Sequence, residues 1–253
     1  MPDLALLAIA FGVIPLAAIL LYNLRSIVLN RREAAWGLLA GVVAFLGLSH
    51  AMAAVLGNHP LFGDAWAATA VSLLGLLTGA GIAWLLLEGP FIKEAPNRIV
   101  WASVAFVGVH SLGDGLVLGR SFIGGFVPMV PVDPVSVAAT IAHRFVEGCL
   151  IIVPALFASW KPKVAFPALF ASLVAIPAAY LPGSIYAAYG PSSLGITLQI
   201  GIPTFVAAME STLGLLLLVR ALLTIAAADH GRQWLVWTAV GYIAISLIHF
   251  LVE

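Results

Sequence analysis

Long apolar runs alternate with short polar breaks along almost the whole chain. A membrane-crossing helix needs roughly 20 mostly apolar residues. On that measure the pattern predicts spans near residues 3–24, 36–57, 66–88, 99–119, 135–158, 164–182, 194–220 and 233–252. Pro177 and Pro182 break up the sixth run, Pro203 falls inside the seventh, and Pro154 is placed to kink the fifth. Prolines are tolerated in membrane helices where neighbours or water satisfy the freed backbone groups. The expected fold is an all-α integral membrane protein of eight transmembrane helices, with residues 1–253 forming one transmembrane domain. No segment between the spans is long enough for a soluble domain. The first run lacks a basic leader, so it reads as a retained helix rather than a cleaved signal.

Composition sharpens this picture. Mean hydropathy is +1.12, and only 9% of residues are charged, where a soluble domain carries about 25%. Lys plus Arg equals Asp plus Glu, at 11 each, so no nucleic-acid partner is expected. The single cysteine, Cys149, rules out an intrachain disulfide framework and a Cys-rich metal site. Within its apolar run it reads as a small packing residue.

The basic residues collect in alternate loops. Arg25, Arg31 and Arg32 flank the first loop, Lys93 and Arg98 the third, Lys161 and Lys163 the fifth, and Arg220 and Arg232 the seventh. Among the even loops Arg120 is the exception. Positive residues favour the cytoplasm, so the odd loops are expected inside, both termini outside, and the protein in the cell membrane. Gly37 and Gly41, like Gly75 and Gly79, are four apart. Such pairs let membrane helices touch backbone to backbone, either within a rigid scaffold or at a homodimer face.

Against this apolar background two polar clusters stand out. The fourth span carries His110-Ser111-Leu112-Gly113-Asp114-Gly115, and the fifth carries His143-Arg144-Phe145-Val146-Glu147-Gly148. Residues four apart share a helix face, so His110 stacks with Asp114 and His143 with Glu147. For antiparallel spans rising about 1.5 Å per residue, Asp114 and His143 both lie roughly 10 Å below the outer boundary. His110 and Glu147 lie about 15 Å below it on the same arithmetic. An acid thus meets a histidine at two successive levels. Ionisable groups at such depth are expensive and mark partners, ions or water. Imidazole with carboxylate suits zinc, iron, cobalt or manganese better than magnesium or calcium. Ser111 can add a hydroxyl. A metal-free proton relay and a structural hydrogen-bonded lock are the competing readings. Gly115 and Gly148 are expected to let the two spans pack closely.

Other polar residues extend the list. Arg144 follows His143 directly and points about 100° away; it can snorkel outward, pair with an acid, or repel a cation. His50, with Met52 nearby, is a pathway or accessory candidate in the second span, and Glu210 is one in the seventh, beside Met209. His249 in the eighth span is expected to be structural. His59 and Asp64 read as an ordinary turn, as do Asp229 and His230.

These motifs resemble the ZIP family of zinc and iron permeases. VHSLGDGLVLG is similar to the family's His-Asn-x-x-Asp-Gly signature, and AHRFVEG to its His-x-x-Pro-Glu-Gly form. The resemblance implies metal-binding roles for His110, Asp114, His143 and Glu147. AFLGLSHAM looks like the family's His-bearing second helix, and GIPTFVAAMEST like its seventh, which implies pathway roles for His50 and Glu210. It also implies a 3+2+3 arrangement, with two inverted three-helix repeats flanking helices four and five, and an elevator-like movement. The chain departs from the pattern at Ser111, Arg144 and Val146, which points to one well-formed site, with Arg144 able to fill the space of a second cation. The expected function is movement of Zn²⁺ or a related first-row metal toward the cytoplasm, with the ion as cargo, lipid as surroundings and no cofactor required. No Gly-x-x-x-x-Gly-Lys-[Ser/Thr] loop offers ATP, while membrane potential favours a divalent cation by roughly 2 × 2.3 kcal/mol per 100 mV. An intramembrane metal-dependent hydrolase and a non-transporting metal sensor are the alternatives.

Overall fold

The computed structural model describes residues 2–56, 65–123, 134–188, 193–228 and 233–252. His59, Asp64, Asp229, His230 and Arg232, and the side chain of Arg120, lie outside the described residues. The described chain is helical, with no strand among the described residues. Its helices are α1 (Pro2–Asn23), α2 (Arg25–Asn30), α3 (Arg32–Leu56), α4 (Ala65–Leu87), α5 (Ala95–Ile123) and α6 (Pro134–Phe157). They continue with α7 (Pro162–Leu173), α8 (Ala175–Ala188), α9 (Ser193–Leu217), α10 (Leu223–Ala228) and α11 (Gln233–Val252).

Among the described residues seven stretches are long and apolar enough to cross a membrane, from Arg32–Val55 to Gln233–Leu251, while the apolar stretch Phe11–Asn23 of α1 is shorter. The protein is therefore an all-α integral membrane protein. The sixth apolar run divides into α7 and α8 around Val174. Pro177 explains the break. It has no N–H to offer the carbonyl four residues back, but in the first turn of α8 that donor is not needed. Helix α6 runs on through Pro154. The seventh run passes from α9 into α10 through a π-helical turn, Leu218–Leu222.

Glycines decide which helices pair. A methyl group on Gly37 would sit 2.7 Å from the Trp234 carbonyl oxygen, and one on Gly41 would strike the Thr238 carbonyl. Gly241 presses in return on Leu38, sealing α3 against α11. Gly75 and Gly79 lie on the backbone of α9 at Phe205 and Met209. Both pairs are thus spent inside the chain, not on a homodimer face. The expectation that Gly115 and Gly148 bring α5 and α6 together is also corrected. Gly115 meets Ile176 of α8, with Ala179 Cβ 2.9 Å away, and Gly148 meets Ala17 of α1 at 2.8 Å. Gly183 of α8 returns the contact to Leu116 of α5.

The helices thus pair as α3 with α11, α4 with α9, α5 with α8 and α1 with α6, while α5 also packs on both α6 and α9. Buried Leu46, Phe106, Ile151, Leu213 and Ile245 fill the space within and between them. Leu16, Leu77, Trp84, Leu181 and Phe250 remain outside, as expected where lipid is the solvent. Cys149 packs against this core.

Polar ties hold one end of the bundle. Tyr22 donates to the Trp160 carbonyl at 3.0 Å, and the Trp160 indole donates to Asn97 at 2.6 Å. Arg98 donates to the carbonyls of Ile92 and Leu87 at 2.7 and 3.0 Å. Beyond α6, Ser159 takes the left-handed conformation (φ 58°). Trp160 N–H then reaches back to the Ala155 carbonyl at 2.8 Å, a helix-closing bond of the Schellman kind. That reversal directs Trp160 toward α1 and α5.

Candidate metal centre

The centre forms where α5 and α6 run antiparallel. Helical spacing stacks His110 over Asp114 and His143 over Glu147, and the crossing turns both pairs toward each other. One donor atom from each of the four residues lies within 4.8 Å of every other. His143 Nε2 is 2.8 Å from Glu147 Oε1, and His110 Nε2 is 3.3 Å from the same oxygen. His110 Nε2 is 3.6 Å from Asp114 Oδ2 and 3.1 Å from His143 Nε2. His110, His143 and Glu147 are buried, while Asp114 keeps 24% of its side-chain surface. The deeper rung, His110 with Glu147, has the expected contact. At the shallower rung the close partner of Asp114 is Arg144 rather than His143.

Arg144 does not snorkel. It is buried, and its Nη1 donates to Asp114 Oδ2 at 2.6 Å and to both Glu147 oxygens at 2.9 Å. Arg144 shares a helix face with Glu147, three residues on, and its long side chain also reaches across to Asp114 on α5. It therefore bridges the two carboxylates and neutralises one unit of their charge. Without such a partner, buried carboxylates are strongly unfavourable. Ser111 is fully buried, and its hydroxyl has no hydrogen-bond partner.

His110 Nδ1–H donates to Glu210 Oε1 at 2.9 Å, which turns Nε2 toward the four-residue cluster. A carboxylate behind an imidazole in this way fixes the ring and raises its basicity as a ligand. Glu210 is 1% exposed and comes from α9. His50 Nδ1 donates to the Leu46 carbonyl at 2.7 Å and lies 3.2 Å from Glu210 Oε1. Donor atoms of His50, His110 and Glu210 form a second group within 4.8 Å. Met52 does not join it: the side chain is 61% exposed.

His249 was expected to be structural, yet its ring lies 5.0 Å from that of His143, centroid to centroid. The only sequence signal was the rarity of histidine: of six in the chain, four fall in apolar helices. Those four, His50, His110, His143 and His249, converge from α3, α5, α6 and α11.

Chemically, the cluster offers imidazole nitrogen and carboxylate oxygen in a water-poor interior. That mixture fits a first-row divalent metal of borderline softness. Neither a known protein-family profile nor a curated protein sequence matches the chain. Fold and site together define a class: an integral membrane protein whose buried His/Asp/Glu cluster can hold a metal ion.

Proposed function

We propose that the protein is a ZIP-like permease that moves Zn²⁺ or a related first-row divalent metal through the membrane toward the cytoplasm. One observation carries this reading: His110, Asp114, His143 and Glu147 bring four donor atoms within 4.8 Å on two apolar crossing helices. The resemblance of VHSLGDGLVLG and AHRFVEG to the family's signatures supports it. So does the gathering of Arg98, Trp160 and Tyr22 at one end, the end that the charge pattern assigns to the cytoplasm. In this reading α1 is the first of eight crossings arranged 3+2+3, both termini face outward, and the host is the cell membrane.

His110 and His143 supply neutral imidazole, and Asp114 and Glu147 supply charge. Glu210 holds the His110 ring, and Arg144 restrains the two acids. Metal binding must take carboxylate oxygen from Arg144 or share it, which keeps affinity moderate and release feasible. A substrate held near the midplane then crosses as one set of helices shifts against another.

The test is uptake of Zn²⁺, Fe²⁺, Mn²⁺, Co²⁺ and Cd²⁺ into proteoliposomes. Wild-type protein should give saturable flux. His143→Ala should lose at least 90% of it (about tenfold, on the order of one lost ligand) at equal membrane insertion. Lipid or peptide cleavage without flux would establish a hydrolase, and binding without flux would establish a sensor; either refutes the permease.

A further inference from the structure

A groove of about 360 Å³ runs between α6 on one side and α3 with α11 on the other, with α2 at one end. Leu21, Leu39, Val42, Val153 and Ile245 form its buried floor. The rim is open to the side: Ile27 of α2 is 59% exposed, and Ala244 of α11 is exposed as well. From Ala34 to Val42 along α3 the groove covers about 12 Å of helix, close to the roughly 15 Å depth of one leaflet. A cleft of this volume holds a single small or chain-like ligand.

Charge is confined to one end. Arg31 lines the groove at the junction of α2 and α3, and no other lining residue is charged. Arg31 is exposed and has no ion-pair partner among the described residues; the same holds for Arg25 at the start of α2. The charge pattern assigns this end to the cytoplasm, where the leaflet carries anionic lipid. Basic crevices between membrane helices on that side hold anionic headgroups, and here the crevice continues into a wholly apolar slot. A second copy of the chain is a poorer occupant. Two parallel copies related by an axis along the membrane normal would set groove against groove and Arg31 near Arg31, leaving a void beside a like-charge contact.

We infer that this groove binds one tail of an anionic phospholipid, with Arg31 on the lipid phosphate. The tail lies against Phe145 and Cys149 of α6. These follow His143 and Glu147 by two residues, about 200° round the helix. The lipid therefore packs behind the helix that carries half of the metal cluster. The site is separate from that cluster and stands whether or not the protein moves metal.

The experiment uses full-length protein in detergent, equilibrated with equal amounts of phosphatidylglycerol and phosphatidylcholine bearing the same tails, and weighed intact by native mass spectrometry. Wild type should keep a single phosphatidylglycerol at about fivefold higher occupancy than phosphatidylcholine, the pull of one basic residue on an anionic lipid. Arg31→Gln should bring the two lipids to parity. Lys93→Gln removes the same charge from a loop outside the groove and should change nothing. Ala244→Phe should fill the groove and displace the lipid with Arg31 still present. Independently of any substitution, phosphatidylglycerol with a diazirine midway along one tail should label α6 between Phe145 and Val153 and α11 between Gly241 and Ile248. Excess unlabelled phosphatidylglycerol, but not phosphatidylcholine, should suppress that label. Equal retention of both lipids by wild type, undiminished preference in Arg31→Gln, an equal loss in Lys93→Gln, or label spread evenly over the exposed helices would overturn the site. So would a dimer that excludes lipid from this face.

Discussion

Replacing Arg144 with Gln separates two accounts of this residue. As a plain structural lock, its loss should weaken both the fold and the metal site. As a built-in competitor for the carboxylates, its loss should weaken the fold and strengthen the site. Its Nη1 is 2.6 Å from Asp114 and 2.9 Å from Glu147, so any cation using both acids lies close to the guanidinium. At about 6 Å and an effective dielectric of about 20, a divalent and a single positive charge repel by roughly 5 kcal/mol. Relaxation of the side chains and returning water reduce this to about 1.5–3 kcal/mol, or roughly 10- to 100-fold in Kd. Leaving two acids without their partner should at the same time destabilise the metal-free protein by about 3–5 kcal/mol. The assay is Zn²⁺ titration calorimetry on detergent-purified wild type and Arg144→Gln, paired with thermal unfolding in a chelator. The expected result is tighter Zn²⁺ binding in a less stable protein, with slower release and hence slower flux. Equal or weaker Zn²⁺ binding in a variant that remains folded would refute the competitor account.

Two further outcomes follow from the packing, beyond the flux lost on substituting His143. Gly41→Ala places a methyl group against the Thr238 carbonyl and 2.5 Å from Tyr242 N, and should destabilise by about 1–3 kcal/mol. Gly81→Ala, with nothing within 4 Å of the added carbon, should be neutral or stabilising by up to about 1 kcal/mol; thermal unfolding of both variants checks the contrast. Met52→Ala should leave metal flux unchanged at equal protein level, because that side chain faces away from the cluster; a severalfold drop in proteoliposome uptake would show otherwise.

The helices were legible because lipid imposes a simple rule on sequence: long apolar runs with polar ends. The predicted 36–57 and 66–88 compare with Arg32–Leu56 and Ala65–Leu87. The pairing of His110 with Asp114, and of His143 with Glu147, was legible from helical spacing alone. What spacing could not show was reach. Arg144 is an i, i+3 neighbour of Glu147, but its reach across to Asp114 depends on how α5 lies against α6, which spacing does not give. Neighbour identity was equally hidden. Gly115 and Gly148 announced close approach but not toward α8 and α1, and His249 gained its context only when α11 came to rest on α3. Hydropathy identifies what enters the membrane; which helix lies beside which is settled by contacts far apart in sequence.

The glycine seams have a consequence for motion. Carbonyl-to-glycine contacts weld α3 to α11, α4 to α9, α5 to α8 and α1 to α6, so slippage is cheaper between these pairs than within them. An ion liganded from both α5 and α6 acts as a rivet between two of the pairs. In the proposed transport cycle those pairs can slide only when one side lets go, so the strength of the metal–nitrogen bonds sets the friction of the machine. Cu²⁺, which binds such donors more tightly than its first-row neighbours, should jam it where Zn²⁺ passes.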